Sequence, residues 1–475
     1  MTRLLLVLAA LLLATATPAA AAQPRDIDSY VRAYLEHTGL PGAAVAVTHD
    51  GDVVRVAGYG HDAAGTPLTA STPLPIASVS KSMTAFAVLQ LAEAGRLGLD
   101  EPVTRYLPDF RLADPRGARI TVRMLLDQTS GMADSAFPDL TLPQPHTLAE
   151  AVTRLKDANL ADEPGARHHY HNPNYEVAAR IVEVVGGQPF AGYLAGHVFR
   201  PLGMTGSSSV DAPPAGTEGY VRAFGIEVPV SEPDWFTGGS HGVLSTAEDM
   251  AKWLVAQRDG GGVVSPAGAA LAHTPAPGRD YALGWRVVDG RVSHGGEWFS
   301  HTAWQVLLPG GYGVAVLANT GMALDNDAQQ LAEGLASLLD GGAPEPALPA
   351  GVVADRVLGA LALVAVGLAV LGVRRAGRKP RWWRLVPPLL PLLPLAFLPQ
   401  LLGWVFAGRR GTYAQVLYVW PGLVVALGVV ALAGLTVAAA RARVLVSGTR
   451  GRDQEESDET RGDAQWASAN RPSGS

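Results

Sequence analysis

Three long apolar runs near the end of the chain constrain its fold more than any other sequence feature. They cover residues 357–373, 385–406 and 414–440, and none of them contains a charged side chain. Each is long enough to cross about 30 Å of hydrocarbon as a helix, with modest mismatch for the first. We therefore expect a membrane domain over 351–440 with three transmembrane helices, of which the first covers about 352–373.

The residues between these runs predict an orientation. Six Arg and Lys side chains crowd the loop 374–384, so the positive-inside rule places this loop in the cytoplasm. The short connection with Arg409 and Arg410 then faces outward, and the polar tail 441–475 is expected to be cytoplasmic and disordered. Five prolines in the second run predict either a kinked span or a partly re-entrant segment. Because the runs are uncharged, an anchor or partner-binding unit is favoured over a transporter or channel.

Residues 1–22 have the pattern of a secretory signal peptide. Arg3 supplies a positive charge, the apolar stretch 4–13 is too short to span a membrane, and 20–22 is a small-residue cleavage site. The alternative interpretation is an uncleaved N-terminal anchor. Either interpretation predicts that the following domain is exported.

Composition excludes several classes of protein. The 475 residues carry a net charge of −6, which argues against a strongly basic nucleic-acid binder. A hydrophobic content of 48% excludes a highly charged disordered chain. The chain has no cysteine, so it has no disulfide framework, thiolate metal site or cysteine nucleophile.

Residues 25–340 predict an α+β domain. Two β-rich stretches, 43–47 and 53–56, flank an Asp-Gly turn, and a second hairpin is expected at 304–317. The middle of the domain has helical patterns. We expect an antiparallel sheet built from both termini, flanked by helices and carrying a helical insert domain, with 341–350 as a linker to the membrane domain.

The first chemical motif is S-x-x-K, formed by Ser78 and Lys81 at the start of a helical stretch, 83–92. Residues three apart on a helix share a face, so the amine lies beside the hydroxyl at a helix N-terminus, where the dipole favours developing negative charge. The amine can then take the hydroxyl proton. The alternative is a purely structural role, in which Ser78 caps the helix and Lys81 lies on the surface.

Two further motifs follow along the chain. Tyr170 and Asn172 are two residues apart in an extended segment, so their side chains point the same way. His294, Gly295 and Gly296 end a strand candidate, and glycines there let a ligand approach the backbone closely. Taken alone, each motif is also compatible with ordinary packing or a turn.

The ordered set S-x-x-K, Y-x-N and H-x-G resembles the serine β-lactamase and penicillin-binding protein superfamily, in its class C-like branch of the peptidase family S12 type. That branch includes D-Ala-D-Ala peptidases, D-amino acid peptidases and esterases. The resemblance covers about residues 25–340 and excludes the apolar C-terminal part. It is supported by four further stretches, at 125–132, 201–204, 242–249 and 283–285.

The resemblance implies a role for each motif residue. Ser78 is the expected acylated nucleophile, and Lys81 or Tyr170 is the expected base. Asn172 would bind the substrate amide and orient Lys81, while His294 stands where many relatives have the lysine of a K-T-G strand.

The oxyanion hole follows from the same resemblance. It would be formed by the backbone N–H groups of Ser78 and Glu297, and Gly295 and Gly296 would lie along the bound substrate. Two residues depart from the usual pattern. Histidine at 294 holds a substrate carboxylate less firmly than a lysine does, which favours esterase or peptidase activity over efficient β-lactam hydrolysis. Glu297 replaces a small residue, and it either repels acidic substrates and favours a substrate amine or points to solvent.

Neither a metal nor a cofactor is expected. His168, His169 and His171 resemble a ligand cluster, but adjacent side chains diverge, so at most two of them share an ion easily.

The sequence thus predicts an exported, membrane-anchored serine hydrolase at the cell membrane, with an extracytoplasmic catalytic domain and a cytoplasmic tail. Its substrates would be small molecules or peptides: D-amino acid peptides of the cell-wall type, β-lactams or small esters. The alternative is a penicillin-recognising sensor with little or no turnover. The sequence names no protein partner.

Overall fold

The structure is a computed structural model that describes residues 26–321, 324–378, 381–405 and 411–469, with the backbone alone for 405 and 448–469. The predicted signal peptide, 1–22, lies outside the described residues. The described chain divides into two compact units. The larger unit extends to Ala354 and includes Pro399–Pro421, while the smaller unit holds Asp355–Leu398 and the chain from Gly422.

The part of the chain that the structure describes contains eleven β-strands. They are β1 (Gly42–His49), β2 (Asp52–Gly60), β3 (Leu74–Pro75), β4 (Ser208–Ser209), β5 (Glu218–Ala223), β6 (Ile226–Ser231), β7 (Val243–Ser245), β8 (Arg286–Val288), β9 (Arg291–Glu297), β10 (Thr302–Leu307) and β11 (Tyr312–Ala318). The main sheet has the order β2-β1-β11-β10-β9-β8, and all of its pairs are antiparallel. Because β1 pairs with β11, this sheet confirms the predicted fold class, an antiparallel sheet built from both termini.

Fifteen α-helices are present in the described residues. They are α1 (Ile27–Thr38), α2 (Ser80–Glu93), α3 (Val122–Leu126), α4 (Leu148–Thr153), α5 (Asn172–Gly186), α6 (Phe190–Leu194), α7 (Ala247–Ala256), α8 (Pro266–Ala272), α9 (Asp327–Leu339), α10 (Ala350–Arg374), α11 (Val386–Leu389), α12 (Leu392–Ala396), α13 (Leu398–Val405), α14 (Tyr413–Val419) and α15 (Pro421–Ala469). Helices α2 to α6 lie between β3 and β4 and form the predicted helical insert.

Both faces of the main sheet are buried, because side chains alternate between the faces along each strand. Ala44 and Ala46 of β1 belong to the core that contains α2 and α5, whereas Val45 and Val47 pack in a second core with α1 and α9. This double burial explains why β1 is an almost continuous apolar run. Most residues of α2 are buried as well, so the helix that follows Ser78 runs through the middle of the larger core.

In the C-terminal part of the chain, the structure corrects the number of predicted spans. Among the described residues, two helical stretches are long and apolar enough to cross a membrane, Ala350–Arg374 and Pro421–Ser447. The predicted span 385–406 is instead divided among the short helices α11, α12 and α13. Its five prolines are the physical reason, since each removes a backbone donor and crowds the preceding turn.

Two further differences concern the third run and the tail. The predicted span 414–440 is interrupted at Trp420, between α14 and α15. The backbone of α15 continues to Ala469, where a disordered tail was expected. Residues 450–469 contain no proline and several good helix formers, such as Ala, Arg, Gln and Glu, so extension of an existing helix costs little.

Candidate active site

The turn that carries Ser78 is held rigidly at the N-terminus of α2. It is a 3₁₀ turn, Ala77–Val79, and Ala77 has a positive φ of 47° although it is not glycine. The buried Ser80 hydroxyl donates to the Ala77 carbonyl (2.5 Å) and accepts from the Val243 N–H (3.0 Å). These bonds tie the turn to β7 and present a partly exposed Ser78.

Lys81 lies beneath Ser78 and is fully buried. Its Nζ donates to Ser78 Oγ at 3.0 Å and to Asn172 Oδ1 at 3.0 Å, and it also reaches the Ser240 carbonyl at 2.9 Å. An ammonium group has three donors and no acceptor, so these three acceptors satisfy the charged form. The structure thus brings together the predicted Ser78, Lys81 and Asn172, and it places Lys81 in the core rather than on the surface.

Tyr170 borders the same group. Lys81 Nζ lies 4.8 Å from the centroid of the Tyr170 ring, and the His294 and Tyr170 rings are 6.0 Å apart. Both candidate bases named from the sequence therefore adjoin Ser78 Oγ or its lysine partner. The geometry keeps both of them as candidates.

Gln128 holds the segment around Tyr170 in place. It has a positive φ of 61°, and its carbonyl accepts from the His169 N–H at 2.8 Å. Its side-chain Oε1 accepts from the His171 N–H (3.0 Å) and from Asn174 Nδ2 (2.5 Å). Gln128 belongs to the stretch 125–132 that supports the family resemblance, but nothing in the sequence assigned it this positioning role.

His294 is a neutral, hydrogen-bonded histidine. It is buried, and burial together with nearby Lys81 lowers its pKa to about 3. Its Nδ1 lies 2.6 Å from the Gly295 carbonyl, which can only accept, so Nδ1 carries the proton. Nε2 is therefore the acceptor for the Tyr281 hydroxyl at 2.9 Å. Both ring nitrogens have protein partners, so His294 supplies no cation for a substrate carboxylate in this arrangement.

The end of β9 packs directly against the nucleophile turn. A Cβ added to Gly296 would lie 2.2 Å from the Ile76 carbonyl oxygen and 3.0 Å from Ser78 N. Only glycine allows this approach, which brings the next residue, Glu297, to the cavity that Ser78 lines. Glu297 is exposed, and its Oε1 accepts from Asn326 Nδ2 at 3.3 Å.

The histidine-rich segment does not form a three-histidine metal site. His169 Nε2 pairs with Asp162 (2.6 Å), the His168 ring packs on Tyr281 with centroids 5.0 Å apart, and His171 is buried. In the described chain, His171 instead groups with Asp134 and Asp139. Its Nε2 donates to the Phe137 carbonyl at 3.0 Å, so that nitrogen is not a free metal ligand.

A cavity of about 710 Å³ opens above Ser78. Ser78, Tyr170, Asn172 and Glu297 line this cavity, and the rest of its lining is largely apolar. The fold and this geometry are those of the serine hydrolases related to β-lactamases and penicillin-binding proteins.

Comparison with known proteins gives the same assignment. Residues 27–336 match the family model described as Beta-lactamase, and the chain belongs to that family. Esterase EstB from Burkholderia gladioli is 32% identical over 279 residues, which cover 50% of this chain and 71% of EstB. The octameric penicillin-binding protein homologue from Pyrococcus abyssi has a TM-score of 0.58 and 28% identity, covering 70% of this chain and 80% of that one.

Protein flp of Staphylococcus aureus (strain N315) is 28% identical over 322 residues. The match covers 62% of this chain and 63% of Protein flp, so the chain spans less than two thirds of that relative's length.

Proposed function

We propose that the protein is an exported, membrane-anchored serine hydrolase that forms a covalent acyl-enzyme on Ser78. The observation that carries this proposal is the buried Lys81 side chain, whose Nζ lies 3.0 Å from Ser78 Oγ and is fixed by Asn172 and the Ser240 carbonyl. A lysine is costly to bury, and a purely structural role does not explain its position against a partly exposed serine hydroxyl.

In the proposed reaction, Ser78 Oγ attacks the substrate carbonyl carbon, and its proton passes to Tyr170 or to Lys81 in its neutral form. The N–H groups of Ser78 and Glu297 stabilise the oxyanion, at about 3–4 kcal/mol for each donor. The same base returns the proton to the leaving group as the carbonyl–leaving-group bond breaks. Water then attacks the Ser78 ester, one of its protons passes through the same base to Ser78 Oγ as the ester bond breaks, and the acid is released.

Small esters are the substrate class that we favour. The neutral His294 offers no fixed positive charge to a substrate carboxylate, and the exposed Glu297 disfavours anionic groups near the oxyanion hole. The relative EstB bears the name of an esterase. Membrane anchoring is supported by the two apolar helical stretches, and the proposed orientation rests on the positive charges of 374–384.

The test uses the full chain in detergent, with a fluorescent fluorophosphonate, a fluorescent penicillin and intact mass spectrometry. We expect one fluorophosphonate adduct on the wild type and none on Ser78→Ala, together with ester turnover that Ser78→Ala lowers by at least about 10³-fold. A long-lived penicilloyl adduct without turnover would instead identify the penicillin-recognising sensor. Absence of any Ser78-dependent adduct would refute the catalytic assignment.

A further inference from the structure

The cavity above Ser78 is completed by a part of the chain far from the hydrolase motifs. Residues 399–405 and 411–421, which we call the roof segment, belong to the same compact unit as the catalytic residues. Leu402, Val416 and Val419 of this segment line the cavity together with Ser78. The family match ends at residue 336, so the roof segment is an addition to the shared hydrolase fold.

Specific contacts hold the roof segment in place. Thr412 and Gln415 form a capping box at the start of α14, which fixes the first turn of that short helix. Gln415 Nε2 then donates to the Leu140 carbonyl of the insert domain at 2.9 Å. The rings of Tyr418 and Phe299 pack with centroids 5.6 Å apart, and Val416 is only 4% exposed.

The part of the wall that the roof segment forms is largely apolar, whereas polar side chains such as Asp134, Ser135 and His169 line other parts of the cavity. The roof residues face the same cavity as Leu140 and the aromatic side chains of Trp235 and Phe299. A peptide bound against such a wall would leave its amide groups without partners, at a cost of about 1–3 kcal/mol for each buried group. An alkyl chain makes no such demand, and its burial is favourable.

We propose that the roof segment forms an acyl-chain pocket, and that the acyl donor carries a linear alkyl chain of medium length rather than a peptide or a short polar group. This inference rests on the acyl-enzyme proposed at Ser78 and specifies its substrate. The alkyl chain extends from the carbonyl carbon at Ser78 along Val416 and Val419, so the roof segment determines the chain length that is accepted.

The first test measures kcat/KM of the full chain in one detergent for 4-nitrophenyl acetate, butanoate and octanoate. Complete burial of a methylene group increases kcat/KM by about fourfold, so we expect at least a tenfold rise from butanoate to octanoate. A flat or falling series, with normal fluorophosphonate labelling of Ser78, would overturn the acyl-pocket inference alone. Loss of both labelling and acetate turnover would instead refute the proposed hydrolase.

The second test compares Val416→Asn with Leu417→Asn. Both residues lie in α14, but Val416 lines the cavity, whereas Leu417 is 48% exposed and is not among the lining residues. We expect Val416→Asn to lower the octanoate-to-acetate ratio about tenfold, and Leu417→Asn to preserve the wild-type ratio. Equal ratios in the two variants would contradict the inference. If Val416→Asn loses acetate turnover as well, the milder Val416→Ala is tested in its place. We expect Val416→Ala to lower the octanoate-to-acetate ratio by a smaller factor.

Discussion

Lys81 is one of four lysines in the chain, and it is fully buried against the nucleophile. We expect Lys81→Met to slow fluorophosphonate labelling of Ser78 by about 10²–10⁴-fold, because the substitution removes a proton-transfer group and leaves a similar volume. It also leaves Asn172 Oδ1 and the Ser240 carbonyl without their donor, which costs about 1–3 kcal/mol of stability for each group. The labelling rate and the unfolding midpoint are measured on the same preparation.

Lys252 provides the matched control. Its Nζ pairs with Asp249 at 3.0 Å, and its side chain is 41% exposed. The buried Asp249 keeps its hydrogen bonds from the Gly206 N–H and the Ser207 hydroxyl when Lys252 is replaced, and Lys252 does not line the cavity. Ser78 of Lys252→Met should therefore be labelled at the wild-type rate. If Lys81→Met also labels at that rate, the lysine has no part in acylation, and Tyr170 becomes the candidate base.

At the residue scale, the sequence predicts the motif residues of the site better than the residues that hold them in position. Ser78 and Lys81 could be found because helical spacing alone brings them together, and Asn172 because a motif marks it. The contacts of Gln128 and Tyr281 could not be found in this way. Each acts through a long-range bond, to the Tyr170 segment or to His294, and such bonds depend on tertiary packing that leaves no local pattern.

At the element scale, β9 connects the main sheet to the nucleophile turn, and Gly296 is the contact point. We expect Gly296→Ala to reduce Ser78 labelling by about 10²-fold or more, because the new Cβ would collide with the backbone of Ile76 and displace the turn. The collision involves backbone atoms, so rotation of a side chain cannot relieve it.

The control for this substitution is Gly192→Ala in α6. A Cβ there meets nothing closer than Gln188 Oε1 at 3.9 Å, and alanine suits a helix better than glycine. Labelling by Gly192→Ala should equal that of the wild type. If Ser78 is labelled equally fast in Gly296→Ala and in Gly192→Ala, then β9 does not constrain the nucleophile turn.

Helices and strands were predictable where the local sequence pattern agrees with the packing of the element in the folded domain. The hairpins β1–β2 and β10–β11 follow from Gly-containing turns between β-rich stretches, and residues 294–296 lie near the end of a strand, β9, as predicted. Hydropathy alone indicates one continuous span over 385–406, whereas the prolines divide this run into short helices, as the predicted kink allows. Hydropathy also could not place α14 against the active site, since an apolar stretch is compatible with either lipid or protein as its neighbour.

At the scale of the whole molecule, the larger unit buries several titratable groups in their neutral forms. Burial lowers the pKa of His273 and of His301 to about 4, and with Lys81 it lowers that of His294 to about 3. Burial shifts the pKa of a carboxyl group in the opposite direction, and it raises the pKa of Glu176 to about 8. Glu176 therefore contributes stability at low pH that is lost as the pH rises through 8, whereas the histidines contribute stability that is lost on acidification.

His273 isolates one of these contributions, because it lies outside the active site and its Nε2 is 3.2 Å from Gln257 Oε1. Below pH 6.5 the unfolded chain binds a proton at His273, but the folded chain does so only near pH 4. The wild type should therefore lose about 1.5 kcal/mol of stability through this residue between pH 6.5 and pH 5. His273→Gln keeps a donor for Gln257 and cannot titrate, so its denaturant midpoint should fall less steeply with acid. An unchanged slope in His273→Gln would show that His273 is protonated equally in the folded and unfolded states.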